Sequence, residues 1–290
     1  MKTRKLVLLV VTIFCFSNAY CQQEANSLLW EVSGNGLAQP SYIFGILKFI
    51  PSNDYYWPEK VDKAFKSSQI LSTETQLDHH ARHELNKAAH LEGGNSLADY
   101  LTEEELEKLS GIFSNRFGIS DFKFNVVYKK FKPIMLSTTM TRLSYGDNVK
   151  YYELELINQA NSLGITTQAL EKVEKEVEAL EKIKLEDQVK SLKHTLENFD
   201  DQLKDYEELV SYYKKGDLHK TLEYTMHPLE NHSDYEAHFI YGRNKAWIPK
   251  IEEYMKSGQT FFAIGASHLS EEAGVLNLLR KKGYTVKPAE

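Results

Sequence analysis

The feature that most constrains the fold is a repeated local unit. An amphipathic stretch is followed by a short strand-like run, and a residue able to do chemistry ends it. Tyr151 to Leu163 is such a stretch, Gly164 closes it, Ile165 to Leu170 is the strand-like run, and Glu171 comes next. Glu59 to Lys66, opened by Pro58, presents Val61, Ala64 and Phe65 on one face; Ile70 to Thr73 follows and ends at Glu74. Gln259 to Ile264 is a third apolar run, followed by Gly265-Ala266-Ser267-His268. Helix, glycine, strand and polar residue in that order are the mark of an α/β sheet.

The flanks agree. Leu28 to Val32 and Ser41 to Leu47 read as two consecutive strands around the turn residues Ser33 to Gly36. Ser270 to Lys282 reads as a helix with Ser270 as its cap and Glu271 and Glu272 in its first turn. Gly283 then closes it before a last strand, Tyr284 to Val286. Between these ends the pattern is helical. Thr102 and Glu105 form a capping box, and Phe122 to Leu143 is helical with an interruption at Pro133. Val189, Leu192, Leu196, Phe199, Leu203, Tyr206, Val210 and Tyr213 follow a heptad spacing. That spacing serves either a coiled-coil partner or an amphipathic helix, or a hairpin broken near Asn198 to Asp200, packed on its own domain. The expectation is a single domain over residues 22–290: α/β, a central mixed sheet with helices on its faces and a long helical insertion over about 79–257.

The first 21 residues read as a signal peptide. Lys2, Arg4 and Lys5 precede an apolar run from Leu6 to Phe16, and Ala19-Tyr20-Cys21 fits a cleavage site. The run is about eleven residues, short of the roughly 20 that span a bilayer. An exported protein follows, periplasmic or extracellular. Acylation of Cys21 as a lipoprotein is the weaker reading, because Tyr20 is bulky. Both cysteines, Cys15 and Cys21, lie in this segment, so the remainder relies on its core rather than on disulfides. Without the three early basic residues, 32 basic face 41 acidic residues, and the net charge moves from −6 to −9. That disfavours nucleic acid and anionic membranes as partners.

Ligands of open α/β sheets collect outside the carboxyl ends of the strands. Glu74, Glu171 and His268 are all placed there. Two carboxylates and an imidazole suit a divalent metal or acid–base work; each also has a structural use, capping a helix or bonding locally. His79, His80 and His83 have i,i+3 and i,i+4 spacings that put imidazoles on one helix face, or form a polar helix start. His227, His232 and His238 read as surface residues.

The order of several motifs resembles the TraB/GumN family, which is similar to the Tiki metalloproteases. The residues concerned are Leu28-Leu29-Trp30-Glu31-Val32 through Tyr42-Ile43-Phe44-Gly45, Pro58-Glu59-Lys60-Val61, the strand ending at Glu74, Lys132-Pro133, Ala169-Leu170-Glu171, Arg243-Asn244 with Trp247, Gly265 to Leu269, and Gly283 to Val286. The resemblance implies a TraB/Tiki-like, erythromycin-esterase-like fold and an exported metal-dependent, peptidase-like hydrolase using manganese, cobalt or zinc. It implies two Gly-x-x-His motifs and a glutamate. The second motif, Gly265 to His268, is intact and Glu74 matches the glutamate. The first is not: Gly45-Ile46-Leu47 leads to Lys48. An ammonium has no lone pair for a metal and repels the ion.

On this reading Glu74 is ligand or base, His268 a ligand and Glu171 a further ligand or an orienting carboxylate. Arg243 either holds substrate or pins an insertion helix by an ion pair. Lys48 and Asn244 contact substrate. In an alternative without the ion, Lys48 replaces the metal's charge by pairing with Glu74, and with Glu171 as a further partner. A catalytically inactive relative that binds a peptide or envelope partner is the alternative. An envelope structural protein associating through the heptad helix is the third.

Overall fold

The computed structural model describes residues 26–229 and 231–290. The expected signal segment, Cys21 included, lies outside them. Eight strands are present among the described residues: β1 (Leu29–Ser33), β2 (Ser41–Ile46), β3 (Ile50–Pro51), β4 (Ile70–Thr73), β5 (Val149–Lys150), β6 (Thr166–Ala169), β7 (Thr260–Gly265) and β8 (Thr285–Pro288). Six of them form one sheet in the order β6-β4-β7-β2-β1-β8, and β3 pairs with β5 in a separate ribbon. β6, β4, β7 and β2 run parallel, while β1 is antiparallel to both β2 and β8. The fold is therefore α/β with a mixed central sheet.

The strand at the centre explains itself. Phe261, Phe262, Ala263 and Ile264 of β7 are all fully buried. A parallel strand covered on both faces needs such an unbroken apolar run. Val61 and Phe65, Tyr152 and Leu156, and Trp247 and Ile251 bring three helices onto the same core. The expected caps are present. Thr102 and Glu105 exchange side-chain bonds with each other's backbone N–H at 2.8 and 3.2 Å, and Gly164 adopts the left-handed conformation (φ 70°) that closes a helix.

The helical material comes in two blocks, before and after β6, which share a second core. Leu97, Leu109, Phe113, Leu136 and Met140 of the first block meet Leu192, Leu196 and Phe199 of the second. The heptad stretch is two helices, Leu185–Glu197 and Phe199–Lys214, with Asn198 between them outside helical geometry. Its residues up to Leu203 pack into the second core, and Tyr206, Val210 and Tyr213 into the main one. The seam is thus occupied within the chain, which removes the surface on which a coiled-coil partner was to act. No helix among the described residues is long and apolar enough to cross a membrane.

One expected helix starts late. Ser270 caps nothing: it is buried, and its hydroxyl donates to the Leu218 carbonyl at 3.4 Å. The helix runs Val275–Lys281, after a tight reversal in which Glu271 has φ +68°. A Cβ on Gly274 would stand 1.8 Å from the Ser270 carbonyl oxygen, so only glycine fits the reversal. Tertiary contacts to the helix Leu218–Met226 override a good local start signal.

Candidate functional site

Four parallel strands in the order β6, β4, β7, β2 end side by side. The residues just past their ends are, in the same order, Glu171, Glu74, the turn Ala266–His268, and Lys48. The ladder continues beyond β4 and β6, because the Glu171 N–H donates to the Glu74 carbonyl at 3.0 Å. That bond sets the two carboxylates next to each other. Lys48, Glu74 and His268 share one cleft, close enough for the charge of each to act on the others.

Both motif glycines have a steric reason. A Cβ on Gly265 would stand 3.0 Å from Glu74 Oε1 and 3.3 Å from the His268 ring; one on Gly45 would stand 3.0 Å from Leu269 and 3.3 Å from the Ala266 side chain. Gly45 lets the histidine turn close on β2, and Gly265 lets the carboxylate reach the backbone.

Arg243 is the hub. Its Nη2 donates to Glu74 Oε2 at 2.8 Å and its Nε to Glu171 Oε1 at 2.7 Å. The side chain is 3% exposed, which commits it to these carboxylates rather than to substrate. Its plane lies between Phe239 and Trp247, 4.6 and 4.8 Å from the ring centres. Tyr235 stacks on Phe239 at 4.9 Å, and His268 lies 4.6 Å from Trp247. Tyr235, Phe239, Arg243 and Trp247 recur every four residues, so one helix face carries a continuous stack that ends on the histidine. The opening segment of that helix, Tyr235–Gly242, is π-helical, a form that gathers at functional sites.

This corrects the expectation for Lys48. Arg243, not Lys48, pairs with Glu74 and Glu171. Lys48 Nζ lies 3.5 Å from Glu176 Oε1, and Thr75 donates to the other oxygen of Glu176 at 3.3 Å. Protein surrounds the Lys48 amine, yet its side chain is 67% open to solvent, as at the mouth of a cleft. Glu176 raises its pKa, so the amine stays charged; water screens the pair, which makes it a weak tether.

Asn244 is also corrected. It is fully buried and touches no open surface. Its Nδ2 donates to the His268 carbonyl at 3.1 Å and the Ala273 carbonyl at 2.9 Å. Both are acceptors only, so the amide is oriented with Oδ1 toward His268 Nδ1, 2.7 Å away. Nδ1 must carry the proton, and Nε2 keeps its lone pair. Nε2 stands 3.9 Å from Glu74 Oε1. Burial pushes the His268 pKa down to about 4, with Glu74 opposing and Arg243 assisting, so the ring is neutral at pH 7. Burial by itself would raise Glu74, but His268 when charged, Arg243, the Gly265 N–H at 2.8 Å and Lys48 outweigh it and hold the carboxyl at about 2. Burial raises Glu171 against the pull of Arg243.

Sequence reasoning missed three residues of this cleft. Glu176 holds Lys48. Glu153 lies near Glu74, Lys48, Glu176 and Arg243, and burial with the Glu74 charge pushes it up to about 7. Tyr235 faces the same charges. Glu153 and Glu176 sit in first turns of helices, where acids are ordinary, and no local signal separates them from their neighbours. Three of the other candidate histidines have acidic partners of their own: His80 meets Glu174 at 2.7 Å, His227 meets Asp205 and His232 meets Glu236.

The donor set does not fit the divalent metal that the resemblance implies. No three His, Cys, Asp or Glu side chains among the described residues group so as to hold one. Glu171 and one oxygen of Glu74 are engaged by a buried guanidinium, and an ammonium stands where a third ligand is needed.

The sequence profile of the TraB/PrgY/gumN family matches residues 28–288, nearly all of the described chain. The chain belongs to the TraB/PrgY/gumN family. Among curated relatives of this TraB-family chain is Metalloprotease TIKI2 of Danio rerio, 23% identical over 92% of this chain and 61% of the relative. Metalloprotease TIKI1 of Homo sapiens is 25% identical over 92% of this chain and 63% of the relative. The TraB-family chain therefore spans under two thirds of the length of these relatives. No solved structure matches it.

Proposed function

We propose that this TraB-family chain is a peptidase-like hydrolase, acting outside the cytoplasm, in which His268 and Glu74 activate water without a metal between them. One observation carries the reading: the His268 Nε2 lone pair, fixed by Asn244, faces a carboxylate oxygen 3.9 Å away. Neither atom holds a proton at neutral pH, so one water molecule can donate to both.

The chemistry then follows from the residues. Water oxygen attacks the carbonyl carbon while one of its protons passes to His268 Nε2 and Glu74 accepts a hydrogen bond from the other. The carbonyl electron pair moves onto its oxygen, where the Lys48 ammonium stabilises it. Reformation of the carbonyl breaks the C–N bond, and the leaving amine takes the proton from His268. Arg243 keeps Glu74 ionised and aligned. The names of the Tiki relatives support hydrolysis of peptides as the reaction class.

A second reading, a binding protein without turnover, is favoured by one feature: Arg243 and Gly265 engage both oxygens of Glu74. Assay of the purified chain on a mixture of fluorogenic peptides, with and without chelator, separates the two. The hydrolase gives turnover that chelator leaves unchanged and that His268→Ala and Glu74→Gln each lower more than about 100-fold. Turnover abolished by chelator, or untouched by His268→Ala, ends the proposal; no turnover at all leaves the binding reading.

A further inference from the structure

Tyr235 opens the π-helical segment and packs its ring edge against Ile134, Leu180 and Ile183. It also packs against Leu222, Met226 and Ile240 and stacks on Phe239, itself under the Arg243 guanidinium. The ring is thus fixed by packing, two steps along the stack from the guanidinium that holds Glu74. Among the described residues nothing hydrogen-bonds that hydroxyl. The charges of Lys48, Arg243, Glu74 and Glu176 all act on it, so it lies over the same ground as the reacting pair. A helix in ordinary α geometry packs its turns more tightly; the wider π turn sets the side chain in a different register from its α-helical continuation.

We infer that the Tyr235 hydroxyl is a second oxyanion donor, binding with the Lys48 ammonium the oxygen of a peptide carbonyl as it becomes tetrahedral and negative. The inference rests on the hydrolase reading and adds to it a catalytic residue that the sequence pattern does not mark. Burial pushes the phenol up to about 12, so it keeps its proton and remains a donor across neutral pH. A neutral donor beside a charged one suits a developing anion: the ammonium supplies charge, and the fixed hydroxyl supplies direction. Lys48 alone is open to water and only weakly tethered, so it positions poorly.

Tyr235→Phe is the test, because phenylalanine keeps the stack and the apolar contacts. Two readouts are taken. On a cleaved peptide, kcat falls about 100-fold, as for loss of one oxyanion donor, while KM changes little. In calorimetry with an alanyl-alanine phosphinic pseudodipeptide, whose tetrahedral anionic phosphorus group mimics the intermediate, affinity falls at least about 10-fold with Tyr235→Phe and with Lys48→Met. Equal affinity of wild type and Tyr235→Phe overturns the inference, as does a wild type that binds no phosphinate. Phosphinate binding that depends on Tyr235 in a chain that cleaves no peptide keeps the oxyanion site and overturns the hydrolase reading alone.

Discussion

Asn244 and His268 hold each other through both ring and backbone: Oδ1 of the amide meets Nδ1 of the imidazole at 2.7 Å while its Nδ2 donates to the histidine carbonyl at 3.1 Å. One side chain therefore fixes the tautomer of the ring and the position of the turn that carries it. Substitution by alanine leaves a buried ring N–H and two buried carbonyls without their partner. The expected loss is about 1–3 kcal/mol for each group left unpaired, read by urea denaturation. Nitrogen NMR of labelled histidine should show Nε2 unprotonated at pH 7 in wild type and mixed tautomers in Asn244→Ala.

Arg243→Met should cost more. It strands Glu74 and Glu171 as buried carboxylates, a loss of about 3–5 kcal/mol by the precedent of broken buried ion pairs. Both carboxyls then take up protons more readily, so the deficit against wild type shrinks as pH falls toward 4. Denaturation curves at pH 7 and pH 4 check both parts. Arg243→Lys should recover little, because one ammonium lacks the fork that reaches two carboxylates at 2.7 and 2.8 Å.

Lys48→His tests the donor count. It removes a cation and adds a lone pair beside Glu74 and His268. Wild type should bind no stoichiometric zinc, manganese or cobalt in titration calorimetry. The variant should gain binding if its imidazole reaches the cleft. Tight one-to-one metal in wild type would contradict the fit argued from its residues.

Glu153 gives a pH signature of unusual sign. Its carboxyl is raised from 4.5 to about 7 in the folded chain. Between those values the folded state holds a proton that the unfolded chain has released, so this group's contribution falls as pH rises through the window. Glu153→Gln removes that slope. Its melting temperature should exceed that of wild type by a few degrees at pH 8 and match it at pH 4. His268 acts oppositely: its pKa is lowered from 6.5 to about 4, so acidification through that range destabilises the fold.

The chemistry at the strand ends was legible because each active residue directly follows an apolar run, and parallel strands point their carboxyl ends one way. Glu74, Glu171 and His268 were readable on that ground, whereas Lys48 stood out only against the motif of the resembling family. The cation that takes the carboxylates was not. Arg243 lies 169 residues from Glu74 and 72 from Glu171, and nothing local distinguishes its reach from that of Lys48. Asn244 looked like a second substrate contact because adjacency to Arg243 says nothing about which neighbour is buried. The late start of the helix at Val275 escaped for the same kind of reason. Ser270, Glu271 and Glu272 satisfy every local rule for a helix start, and only the distant Leu218 and His219 show why they are used otherwise.

The separation of Arg243 from Glu74 also has a meaning in time. A ribosome that has made Lys48 and Glu74 must add 169 more residues before the guanidinium exists, and further residues before the imidazole. Until then β7 is missing from the middle of the sheet, between β4 and β2, and the early half has no continuous platform. A nascent or truncated chain therefore lacks the assembled cleft, and its unpaired edges make it a target for chaperones and proteases. The cleft is complete only once β7, made late, occupies its place between two strands made long before it.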